Sequence, residues 1–192
     1  MNLKSVFRSI PMAAVLFGAL MFSSPRTVLA TSSQDQLNRF DTEKAVTAEL
    51  KQLRSLMNQL SYDADQLRTL EFSRVHWETH ALQLNTVKDD VNRVGERLDS
   101  LQNTRSFAAP WQQESIDAIV PVALRVADRT TAAIEHLNSN RQYLWAPHYI
   151  DHLHTISTLS NHGRGLVDTH LDIVEAREKL LNIQGELAER TL

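Results

Sequence analysis

The 192-residue chain contains no cysteine. That excludes disulfides, thiolate metal sites, a cysteine nucleophile and haem attachment through C-x-x-C-H. Stability has to come from a packed core. Glycine and proline are scarce, at five each, and few breakers mean few loops between a small number of long elements. Clustered basic residues are missing as well. The chain carries 20 Lys and Arg against 23 Asp and Glu. Three of the basic residues (Lys4, Arg8, Arg26) lie in the first thirty positions, which hold no acid, so the remainder has 17 against 23. Such an acidic body repels a phosphate backbone, which excludes nucleic acid as a partner. Long apolar runs are absent too. The most apolar stretch, Pro11 to Phe22 (PMAAVLFGALMF), is about a dozen residues, against the roughly 20 of a spanning helix.

What is present begins with that stretch. A basic start, a short apolar core and Val28-Leu29-Ala30 read as a secretory signal peptide over residues 1–30, cleaved after Ala30. No cysteine follows the apolar core to take a lipid. The expected mature chain, residues 31–192, fits one domain without a membrane span. Its expected location is the periplasm, with secretion as the alternative.

The periodicity after the leader is helical throughout. A first helix is expected from about 34 to 60, with Val46, Leu50, Leu53, Met57 and Leu60 on its buried face. Ser61-Tyr62-Asp63 reads as a corner, with Ser61 or Asp63 capping a second helix over about 63–103. In that helix Leu84, Val87, Val91, Val94, Leu98 and Leu101 form a three-four repeat, and the pattern weakens at Phe72-Ser73. A third, shorter helix starts at Pro110, where no N–H is required, and should kink at Pro121. A fourth spans about 147–187 on a seam of Leu153, Ile156, Ser160, Gly163, Val167, His170, Val174 and Leu181. Gly163 and Gly165 lower its local propensity and could break it. The expected fold is all-α, an antiparallel up-down-up-down four-helix bundle with long helices of unequal length. Overhanging amphipathic ends make a dimer or a protein partner the default.

Eight histidines in a chain without cysteine are the one chemical signal. His76 with His80, and His148 with His152, are each H-x-x-x-H, a spacing that puts two imidazoles on one face of a helix. Counting along the helices brings His136 to the same end. His76, His80, His136, His148 and His152 are therefore the candidate metal ligands, with Glu78 and Asp151 as oxygen donors nearby. Imidazole without thiolate suits Zn, Cu or Ni. Against this stands the ordinary reading of His80 and His170 as hydrogen-bonded core residues, and of His148 and His154 as outward-facing.

Catalytic motifs are missing. H-E-x-x-H fails because Glu78 comes one place late after His76, and no G-x-S-x-G, P-loop or G-x-G-x-x-G occurs. Asp89-Asp90 reads as solvated surface. The sequence thus points to an exported, soluble, non-enzymatic helical bundle of binding or protein-interaction role. The alternative is transition-metal binding or sensing by the histidine cluster.

Overall fold

The computed structural model describes residues 33–73 and 75–190, and every regular element among them is helical. The expected leader lies outside the described residues. The elements are α1 (Ser33–Thr69), α2 (Trp77–Thr104), α3 (Pro110–Ser139) and α4 (Pro147–Arg190). Single 3-10 turns, Leu70–Phe72 and Arg105–Phe107, follow α1 and α2. No helix among the described residues is long and apolar enough to cross a membrane.

The three-four repeats form the core. On α1, Val46, Leu50, Leu53, Met57, Leu60, Ala64 and Leu67 are buried; on α2, Leu84, Val87, Val94, Leu98 and Leu101. From α3 come Ile116, Ile119, Val126 and Leu137, and from α4 Tyr149, Leu153, Ile156, Val167 and Leu171. The expected α4 seam holds as far as Val167. The buried line then passes to Leu171, leaving His170 and Val174 half-buried; nothing is described of the Leu181 side chain.

Several boundaries differ from expectation. α1 does not turn at Ser61-Tyr62-Asp63 but runs on to Thr69, and the break falls at Phe72-Ser73. The two residues expected to cap are instead satisfied sideways. Ser61 Oγ donates to Asn161 Oδ1 on α4 (2.8 Å), and the Asp63 carboxylate accepts from Gln59 Nε2 (2.6 Å). With those groups paired inside the bundle, neither is available to end a helix. As a result α2 has 28 residues, and α3, with 30, is not the shorter.

Neither Pro121 nor the glycines interrupt their helices. α3 continues through Pro121, whose ring is exposed. α4 is unbroken at Gly163, where a Cβ would stand 2.5 Å from Met57 Cε and 3.3 Å from Val122 Cγ1. α1, α3 and α4 approach one another closely there, so that a Cβ would have to displace the flexible end of Met57. The start of α3 is fastened by Gln112, fully buried. Its Oε1 accepts from the Ala109 N–H (2.8 Å), and its Nε2 donates to the Glu43 carbonyl and to Thr47 Oγ1.

Candidate functional site

Where α2 and α4 begin and α3 ends, the histidines separate into distinct environments. His76 is the N-cap of α2, with φ −71° and ψ 157°, and is exposed. It lies outside the helix, so the His76/His80 spacing is not a helical face. The shift of the α2 start from about 63 to Trp77 is the cause. His80 lies in the first turn and is buried, with Nδ1 hydrogen-bonded to Tyr149 Oη at 3.0 Å. Burial pushes the His80 pKa down and the Tyr149 hydroxyl pKa up, so both are neutral at pH 7. His80 is thus a hydrogen-bonded core residue.

The second H-x-x-x-H pair is realised. His148 and His152 stand one turn apart on α4, their ring centroids 4.5 Å apart. His136, in the last turn of α3, lies 6.0 Å from His148 and 6.5 Å from His152 by the same measure. It also stacks on Tyr149, at 5.3 Å and 21°. His148 is exposed, His136 half-buried and His152 buried. Two buried ring nitrogens, His136 Nε2 and His152 Nδ1, have no hydrogen-bond partner. Desolvation, and then the His148 and Arg129 charges, hold the His152 pKa below its ordinary value. As the rings stand, no group of three or more His, Asp or Glu among the described residues is arranged to enclose a metal ion.

The other histidines are engaged elsewhere or lie in water. His154 Nε2 meets Glu71 Oε2 at 2.6 Å, and His162 is exposed. His170 Nδ1 contacts the Leu166 carbonyl at 2.8 Å, half-buried on its own helix rather than in the core. Glu78 and Asp151 are exposed. Beside this end opens a cleft of about 580 Å³ between the α1–α2 and α3–α4 connections. Leu70, Phe72, Val75, Leu144 and Trp145 line it, with His80 also reaching it. Phe72 and Trp145 are largely exposed there.

One cluster was not foreseen. Asp90, read from sequence as solvated, is buried, whereas Asp89 is exposed. Asp90 Oδ1 accepts from Arg93 and its Oδ2 has no hydrogen-bond partner, and its pKa is raised to about 6 by desolvation and then by the nearby Asp63 carboxyl. The signal was available: position 90 lies three residues after Val87 and four before Val94, on the buried line.

No family model, curated protein or solved structure matches the chain.

Proposed function

We propose that the chain is an exported, non-enzymatic helical-bundle protein that works by association through the C-terminal part of α4, with a second copy of itself as the partner. One observation carries this reading. After Leu171 no described side chain of α4 is buried, yet Ile173, Leu180 and Ile183 present apolar surface at 57%, 61% and 46% exposure. With Ala176 they fall on successive a and d positions of a heptad, the pattern that seats one helix against another.

A second copy presents the same open seam, and two such seams can close on one another. Two-fold dimers are the commonest closed assemblies. The up-down-up-down antiparallel order is supported by paired contacts between α1 and α2. Glu49 meets Arg97, and the Asp63 carbonyl meets Gln83, so numbers rise on one helix as they fall on the other. Export rests on the basic-apolar-small leader pattern of residues 1–30, with the periplasm as the destination. The non-enzymatic reading is supported by His80, the histidine that reaches the cleft, being already engaged by Tyr149.

The test is the solution mass of residues 31–192 by sedimentation equilibrium, for the natural sequence and for Leu180→Glu/Ile183→Glu. The expected result is a dimer that the double substitution converts to a monomer of unchanged core stability. A natural chain that stays monomeric at high micromolar concentration overturns the self-association. N-terminal sequencing of the exported protein should begin at Thr31.

A further inference from the structure

His136, His148 and His152 are the one place among the described residues where three imidazoles from two helices come together. An imidazole ligand holds a first-row metal at roughly 2.0–2.1 Å, so two ligands at a tetrahedral angle have ring centres about 5 Å apart. The separations here, 4.5, 6.0 and 6.5 Å, bracket that distance. Convergence requires the rings to turn from the positions they hold, and His148 is exposed to solvent.

A second observation points the same way. Buried polar nitrogens are normally hydrogen-bonded, and in this cluster His136 Nε2 and His152 Nδ1 are not. Two lone-pair or N–H positions are therefore held out of water with nothing to meet. A metal ion is one partner that can take such lone pairs. The support behind the rings is already present: Tyr149 stacks on His136 and is itself fixed by the hydrogen bond to His80. Such outer contacts orient ligand imidazoles.

We propose that His136, His148 and His152 form a three-imidazole site for a divalent first-row transition metal, Zn(II) first and Cu(II) or Ni(II) as close competitors. The all-nitrogen donor set, in a chain without thiolates, selects this class over the hard oxygen-seeking cations. His76 and His80 are not ligands: one is outside the helix, and the other is committed to Tyr149. The exposed side of His148 leaves the remaining coordination position to solvent.

Untagged, metal-stripped protein is titrated calorimetrically with Zn(II), Cu(II) and Ni(II), each alone, and its metal content is measured after dialysis. The expected result is one retained equivalent and a raised Tm. Affinity should fall by at least about tenfold in His148→Ala and in His136→Gln, and stay unchanged in His162→Ala. His148 is exposed, so its removal leaves the fold intact; circular dichroism of each variant checks this. The proposal is overturned by the absence of saturable uptake of any of the three metals. It is equally overturned by uptake that persists at natural affinity in His148→Ala and His136→Gln, which would assign the metal to scattered surface imidazoles.

Discussion

Asp63 of α1 and Asp90 of α2 are buried neighbours inside the bundle. Burial, and then the neighbouring Asp63 carboxyl, drive the Asp90 pKa up to about 6. The folded state therefore binds a proton that the unfolded chain has released above its ordinary carboxylate pKa. The native state is favoured below that ordinary value, and the advantage is lost as pH rises through about 6. Replacing Asp90 with Asn removes the ionisation. Asp90→Asn should stabilise the protein at pH 7 by on the order of 1–3 kcal/mol and flatten the dependence of stability on pH between about 4 and 6. Urea unfolding at a series of pH values reads both effects; an unchanged slope would mean that Asp90 is ionised in the folded protein without cost.

The glycines of α4 make a paired prediction. Gly165 faces open space, so Gly165→Ala should gain most of the helix-propensity difference, about 0.5–1 kcal/mol. At Gly163 the same Cβ meets the Met57 methyl and the Val122 methyl. Met57 has to yield, and Gly163→Ala should gain little or nothing. The larger Gly163→Val should destabilise by about 1–3 kcal/mol through overpacking. Equal effects of the two alanine substitutions in denaturant titrations would contradict the close approach of the three helices.

Arg54 gathers three carboxylates of α4, at 3.3 Å from Asp168, 2.8 Å from Asp172 and 3.5 Å from Glu175. Removing it costs the attraction and leaves three like charges along one stretch of helix. Arg54→Met should lose about 0.5–1.5 kcal/mol at low salt, with the loss shrinking in high salt as the charges are screened. A loss independent of ionic strength would show that the arginine stem, rather than its charge, matters.

Tyr149→Phe leaves His80 Nδ1 buried without a partner and should cost about 1–2 kcal/mol. The phenyl ring that remains would still support His136, so in the same variant metal uptake is expected to weaken less than in His148→Ala. Thermal unfolding and Zn(II) titration of one preparation give both numbers.

Much of this was legible in the sequence, for a definite reason. A seam such as Val46, Leu50, Leu53, Met57, Leu60 is periodic, and periodicity depends on the local backbone alone. The α1–α2 boundary was not legible, because Ser61 and Asp63 are strong capping residues whose side chains are claimed by Asn161 and Gln59, and Asn161 lies far along the chain on another helix. That error propagated to His76, which changed from a helical-face residue to an N-cap. The His136–His148–His152 grouping does not depend on that boundary; it depends on the α3–α4 connection, and α4 begins at Pro147, where the apolar pattern started the fourth helix. Asp90 was misread by residue type, although its position on the apolar line was visible.

The unequal burial along α4 gives that helix two stabilities in one continuous hydrogen-bonded rod. Up to Leu171, opening any turn means opening the core. Beyond it, a turn can unwind without disturbing α1, α2 or α3 more than locally, so amide protons should exchange progressively faster toward Arg190. Association through Leu180 and Ile183 would slow that exchange in the tail alone, so the degree of protection there would report how much of the protein has found its partner.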